Sequence, residues 1–117
     1  MVIQLLRRSK PALAWFNTHQ TYGVTAITWM EVMQGTTSKA HQRQASSMLD
    51  QFELLYLTAE DQQWAMRQLV ALQFSHHISM NDCQIAAVAQ RLHLPLYTHN
   101  LSDMVPLIGA LALTPYT

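Results

Sequence analysis

Charged residues are scarce in this chain, and the two signs balance. Only 12% of the 117 residues are charged, with seven Lys and Arg against seven Asp and Glu. A protein that holds nucleic acid through charge alone is usually basic, so any nucleic-acid role here must depend on a local site or on a partner that carries the charge. Half of the residues are hydrophobic, which excludes a disordered chain and is enough for one packed domain, predicted to span residues 1–117.

Cysteine and long apolar runs are also nearly absent. Cys83 is the single cysteine, which excludes an internal disulfide and a thiolate zinc cluster and fits the reducing cytoplasm, where we expect the protein. The apolar N-terminal stretch is too short for a signal sequence. No uncharged apolar segment reaches the roughly 18 residues of a membrane span, so we expect no membrane partner.

Two kinds of apolar segment alternate along the chain. Short runs at Tyr22–Thr25, Phe52–Thr58 and Leu94–Asn100 predict strands, the second of them buried, and segments of helical periodicity lie between them. After the third run we expect a turn or 3₁₀ segment and a last strand at Ala110–Thr114. This alternation predicts an α/β domain of three layers, with a mostly parallel sheet flanked by helices. Ligand sites of such sheets lie beyond the carboxyl ends of the strands.

Two short patterns predict helix starts. Thr28-x-x-Glu31 is a capping box, and Ser79-x-x-Asp82 is a weaker one because Asp replaces the usual Glu or Gln. An acid at this position accepts a hydrogen bond from the cap backbone and complements the helix dipole, which is worth roughly 0.3–1 kcal/mol. Asp103, in the stretch THNLSDM, fits a turn residue that bonds its own backbone. Each acid, taken alone, has this structural explanation.

Taken together, Glu31, Asp82 and Asp103 allow a second interpretation. All three stand at the starts of elements that should meet at one edge of the sheet. Converging carboxylates repel one another unless a cation joins them, and ligands that are all oxygen select hard ions such as Mg²⁺ or Mn²⁺. Such ions bind phosphates and activate water for attack on a phosphodiester. The spacing alone leaves the capping and metal interpretations open.

Three segments resemble the PIN-domain family, and in particular its VapC-type ribonuclease toxins. The stretch VTAITWMEVMQG resembles the strand, turn and helix that present the second acid of the family, here Glu31. The stretch ISMNDCQIAAVAQRLHLPLYTHNLSDM resembles the helix of the third acid, here Asp82, followed by a turn matched by Thr98, Asn100 and Asp103. The stretch IQLLRRSKPALAWF resembles the residues after the first strand of the family. The resemblance covers nearly the whole chain.

This resemblance implies a Mg²⁺- or Mn²⁺-dependent endoribonuclease, the toxin of a toxin–antitoxin pair. Such a protein would form a homodimer, bind an antitoxin protein and hydrolyse an RNA substrate. Glu31, Asp82 and Asp103 would bind the metal and act in catalysis, whereas Thr98 and Asn100 would shape the turn.

Three basic residues are candidates for contact with the RNA backbone. Arg7 and Arg8 stand close in sequence to the position where the family has its first acid, and His99 stands in the matched turn. Cationic side chains that touch phosphates position a nucleic acid without reading its sequence. An exposed surface role fits the same residues.

The N-terminus departs from the pattern of the family. The family opens with a strand that ends in D-T-N or D-T-D and supplies the first acid, whereas Met1–Leu6 aligns with the residues after that motif. We therefore expect the central strand and its Asp to be missing. A start at an internal methionine is the favoured explanation, and a shortened member of the family is the other. Without the first acid, the alternative function is a catalytically weak or inactive PIN-like binding module that dimerises or pairs with an antitoxin.

Overall fold

The computed structural model describes residues 3–6, 21–98 and 101–113. Its strands are β1 (Ile3–Leu6), β2 (Thr21–Thr25), β3 (Glu53–Leu55), β4 (Leu96–Tyr97) and β5 (Ala112–Leu113). Its helices are α1 (Ala26–Gln34), α2 (Lys39–Leu49), α3 (Ala59–Leu72), α4 (Met80–Leu92) and α5 (Leu101–Ile108), followed by a 3₁₀ turn at Gly109–Leu111. Within these residues, no helix has both the length and the apolar composition needed to span a bilayer.

The five strands form one sheet in the order β3-β2-β1-β4-β5, and every neighbouring pair is parallel. The predicted α/β fold with a parallel sheet is therefore confirmed. The chain order of the strands reverses between β1 and β4. In open parallel sheets, the crevice beyond the carboxyl ends at such a reversal is the usual ligand site.

The central position of the sheet is occupied, which corrects the prediction of a missing strand. Ile3–Leu6 pairs with β2 on one side and with β4 on the other. The chain fills this position because an empty centre would leave the backbone N–H and C=O groups of both neighbouring strands without hydrogen-bond partners. Strand β1 itself contains no acid.

Two apolar clusters lie on opposite faces of the sheet. Leu96 belongs to a cluster with α3, α4 and α5, whereas Tyr97 packs against a cluster of Tyr22, Val24, Leu49 and Phe52. Successive residues of a strand point to opposite faces, so the sheet is the middle of three layers. Helix α4 is the most deeply buried of the described helices, and Ile85 to Ala89 are fully covered. This helix is the rigid support for Asp82 at its first turn.

Two elements differ from the prediction. Strand β3 lies at the edge of the sheet, so Glu53 and Leu54 are exposed and the expected buried strand is wrong. Residues 101–108 form a helix despite Pro106, where a turn or 3₁₀ segment was expected. The last strand, Ala112–Leu113, lies within the predicted range.

Candidate functional site

Two buried threonines mark the carboxyl ends of the strands beside β1. Thr25 ends β2, and Thr98 follows β4; they are 1% and 2% exposed. Gly23 and Leu96 both pair with Leu5, so the two threonines, each two residues further along, stand at the same level on either side of β1. Two strand spacings separate them, about 10 Å. This edge is where the sequence predicted the site.

Helix α1 begins three residues earlier than predicted, which changes the role of Glu31. Thr25 is its N-cap, in extended conformation, and its Oγ1 accepts a hydrogen bond from the backbone N–H of Thr28 at 3.1 Å. The hydroxyl of Thr25 also donates to that of Thr28, at 3.3 Å. The predicted capping box of Thr28 and Glu31 is therefore wrong, because the end of β2 fixes the cap at Thr25. Glu31 lies in the second turn, half-buried, where capping does not explain its charge.

The capping box at the start of α4 is confirmed. Ser79 Oγ accepts from the backbone N–H of Asp82 at 3.1 Å, and Asp82 Oδ2 accepts from the backbone N–H of Ser79 at 3.3 Å. Asp82 is only 3% exposed. Both hydrogen bonds fix the orientation of its carboxylate relative to the helix, and a carboxylate oxygen can accept more than one partner. The cap and a metal-binding role are therefore compatible.

A tertiary hydrogen bond joins Glu31 to the first turn of α4. Asn81 Nδ2 donates to Glu31 Oε2 at 3.5 Å, across 50 residues of sequence. Asn81 is the residue next to Asp82, and α1 packs against α4. The structure thus brings Glu31 to the turn that holds Asp82. Sequence reasoning missed Asn81, although its place beside an acid in a first helical turn was a usable signal, and it also missed the cap role of Thr25.

Asp103 lies in the first turn of α5, half-buried, on a helix that packs against α4. Within residues 3–6, 21–98 and 101–113, no three His, Cys, Asp or Glu side chains are grouped closely enough to hold a metal ion. The convergence of Asp103 with Glu31 and Asp82 therefore stays a prediction. The donors themselves, carboxylate oxygens beside an amide, have the hard chemistry that suits Mg²⁺ or Mn²⁺.

The supporting and substrate-binding candidates are only partly described. Thr98 is buried, and its backbone N–H donates to the carbonyl of Leu113 at 2.8 Å, which ties the end of β4 to β5. Asn100, His99, Arg7 and Arg8 lie outside the described residues, so their predicted roles stay predictions.

The pKa of the Cys83 thiol is raised by its surroundings. Burial raises the pKa of Cys83, and the nearby carboxylate of Asp82 raises it further. Cys83 is 1% exposed and packs in the core. A buried thiol of raised pKa is a poor nucleophile, so its contribution is to packing.

The sequence model of the PIN domain matches residues 2–101 of this chain. The chain belongs to the PIN domain family. The match spans the strands and helices that carry Glu31 and Asp82 and ends just before Asp103. Comparison with curated protein sequences finds no match.

Solved structures with the same PIN fold come from several organisms. A toxin–antitoxin complex from Klebsiella pneumoniae shares 24% identity, covers 97% of this chain and 98% of its own, and has a TM-score of 0.69. FitAB bound to an IR36 DNA fragment shares 20%, covers 97% and 95%, and has a TM-score of 0.74. VapBC2 from Rickettsia felis, bound to a DNA fragment from its promoter, shares 21%, covers 92% and 95%, and has a TM-score of 0.68. Similarity at this level shows the fold.

Proposed function

We propose that this PIN-domain protein is a Mg²⁺- or Mn²⁺-dependent endoribonuclease, the toxin of a toxin–antitoxin pair. The observation that carries the proposal is the hydrogen bond between Glu31 and Asn81. This bond holds the Glu31 carboxylate against the first turn of α4, which carries a second carboxylate, that of Asp82. Both acids lie toward the carboxyl edge of a parallel sheet. This is the edge at which such sheets bind ligands.

The residues of this chain would divide the work of the site. Glu31 and Asp82 would bind a divalent ion, directly or through water, with Asp103 as a third ligand. The ion would supply phosphate binding and activation of water. The capping box would keep the Asp82 carboxylate in one orientation, and Thr98, bonded to β5, would hold the end of β4 in place. Asn100 would support the turn, and Arg7, Arg8 and His99 would contact the RNA backbone.

The solved structures support the toxin role and an antitoxin partner. The Klebsiella pneumoniae structure is a toxin–antitoxin complex, and a Mycobacterium tuberculosis structure is a member of the VapBC family of toxin–antitoxin systems. We extend this pairing to the present chain. A cytoplasmic location, inferred from the single cysteine, belongs to the same proposal.

An exposed apolar stripe supports a homodimer. Met66, Val70 and Phe74 follow one another at four-residue spacing and are 60%, 74% and 95% exposed. Met80, at the start of α4, is 63% exposed. Apolar side chains that recur on one face in this way are typical of interaction surfaces.

A binding module without catalysis is the second candidate function. The specific observation in its favour is that β1, Ile3–Leu6, contains no acid, whereas the first strand of the resembling family ends in one. One carboxylate fewer would weaken the binding of a divalent ion.

Cleavage of a labelled RNA tests the two candidates against each other. We expect the wild-type protein to cut RNA in the presence of Mn²⁺ and not in EDTA. Glu31→Gln should lose at least 90% of this activity, whereas Glu60→Gln, which changes an exposed acid in the first turn of α3, should keep it. Absence of cleavage by a folded wild-type protein that still binds its partner would favour the binding module.

A further inference from the structure

We propose that Asn81 is a positioning residue of the carboxylate site, one that holds Glu31 in place while leaving its negative charge available for a cation. This inference rests on the proposed function. It starts from the 3.5 Å hydrogen bond that Asn81 Nδ2 donates to Glu31 Oε2. Asn81 is half-buried in the first turn of α4, so its side chain is supported by the packing around it.

The chemistry of the donor is the first step of the argument. An amide is a neutral hydrogen-bond donor, whereas Lys and Arg donate with a full positive charge. A cationic partner at this place would neutralise Glu31 and compete with a metal ion for it. An amide fixes the position of the carboxylate without removing its charge.

The place of the donor is the second step. Asp82 is held by the capping box with Ser79, and its helix has a buried core segment, Ile85 to Ala89, that is fully covered. Glu31 comes from a different helix, α1. A donor in the residue next to Asp82 therefore fixes the second carboxylate relative to the first. Partners of this kind, which orient metal ligands, typically contribute 10- to 100-fold to metal affinity.

Three substitutions at Asn81 separate this role from a purely structural one. Mn²⁺ titration of the folded protein is the readout. Asn81→Ala should weaken Mn²⁺ binding about tenfold, because Glu31 loses the hydrogen bond that Asn81 donates. Asn81→Lys should abolish binding while the melting temperature without metal rises. Asn81→Asp should lower the melting temperature without metal and give a larger increase when Mn²⁺ is added.

Gln84→Ala is the matched control. Gln84 lies one turn further along α4 and is also half-buried, and among the described residues its side chain donates to a carbonyl of its own helix, that of Met80, at 3.3 Å. We expect its Mn²⁺ affinity to match the wild type. Equal affinity of Asn81→Ala and wild type would overturn the positioning role, as would a loss of the same size in Gln84→Ala.

A measurement without metal keeps this inference separate from the proposed function. Thermal unfolding in EDTA of Asn81→Ala, Glu31→Ala and the double variant tests whether the two residues are coupled. A double variant whose loss in melting temperature is smaller than the sum of the single losses supports the contact. Additive losses overturn it. If the wild type binds no Mn²⁺, the proposed function fails, and this cycle still decides whether Asn81 positions Glu31.

Discussion

Asp82 combines two tasks in one side chain. It closes the capping box with Ser79 at the start of α4, and it stands beside the residue that holds Glu31. The sequence left these tasks as alternatives because a capping acid and a ligand look the same in a single helix start. The structure shows the cap directly and makes the second task compatible with it.

The two tasks predict different results for Asp82→Asn. The amide keeps a hydrogen-bonding side chain at the helix start, so the free energy of unfolding should change by less than about 1 kcal/mol. Mn²⁺ affinity, measured by calorimetric titration, should fall at least tenfold because a charged ligand is lost.

Asp61→Asn is the matched control for this experiment. Asp61 has the same capping-box position in α3, where it bonds the backbone N–H of Thr58. Its replacement should leave Mn²⁺ affinity unchanged. Unaltered Mn²⁺ affinity in Asp82→Asn would show that capping is the only task of Asp82.

Cys83 predicts a loss of stability at high pH. Burial, and then the charge of Asp82, raise the pKa of this thiol above its usual value of 9.0. Above about pH 9 the unfolded chain loses this proton while the folded protein keeps it, so the folded state binds more protons and the free energy of unfolding falls as pH rises. Urea unfolding at pH 8 and pH 10 measures the effect.

The comparison needs Cys83→Ala, because a second group titrates in the same direction. Burial also raises the pKa of Tyr97 above its usual value of 10.0. Both proteins therefore lose stability for this reason above about pH 10. The wild type should lose more stability than Cys83→Ala between the two pH values. Equal losses would mean that the thiol does not contribute.

At the scale of secondary-structure elements, an ion pair connects helices α3 and α4. Arg91, in the last turn of α4, donates from Nε to both oxygens of Asp61, at 2.9 and 3.0 Å. Asp61 is 2% exposed and Arg91 is 35% exposed. The pair links the first turn of one helix to the last turn of the other.

Arg91→Ala should lower the free energy of unfolding by about 1.5–3 kcal/mol, because it leaves a buried carboxylate without its charged donor. Partial exposure of Arg91 places the expected value toward the lower end of that range. Arg67→Ala, which removes an exposed arginine from α3, should change stability by less than about 0.5 kcal/mol. Thermal or urea unfolding compares the two, and equal effects would contradict the role of the pair.

Local sequence patterns predicted the start of an element correctly where only one pattern fitted the segment. The capping box that starts α4 depends on residues three positions apart, so this start was predicted correctly. The start of α1 was wrong because Thr25 and Thr28 both fit a cap, and the pairing of β2 with β3 decides between them. The exposure of β3 follows from its edge position, which no local pattern encodes.

The same difference between local sequence patterns and tertiary contacts applies to the candidate site. Glu31 and Asp82 were predicted as site residues from their residue types and spacing, together with the resemblance to the PIN family. Their link through Asn81 could not be found in this way, because it joins helices that are 50 residues apart in sequence. Tertiary packing creates that contact.

At the scale of the whole molecule, the N-terminal strand holds the sheet together. β1 is the central strand, with Leu5 level with Gly23 on one side and with Leu96 on the other. A homodimer remains a proposal supported by the exposed apolar stripe alone.

Leu5→Pro should destabilise the protein by about 1–3 kcal/mol more than Leu5→Ala, because proline in a central strand removes a ladder hydrogen bond and leaves the carbonyl of the neighbouring strand without its donor. Leu5→Ala keeps the backbone N–H and is the control, so the difference between the two variants isolates the backbone contribution. Circular dichroism during urea unfolding measures both. Equal stability of the two variants would show that β1 does not pair as described.

The central claim is that Glu31 and Asp82 together bind a divalent ion at the carboxyl edge of the sheet. The most direct measurement is an anomalous difference map from crystals of the protein grown with Mn²⁺. The account predicts a peak between the Glu31 carboxylate and the first turn of α4, within coordination distance of Asp82, and the same map shows whether Asp103 is the third ligand. A map without a peak at this place, or with Mn²⁺ bound only elsewhere on the protein, would contradict the account.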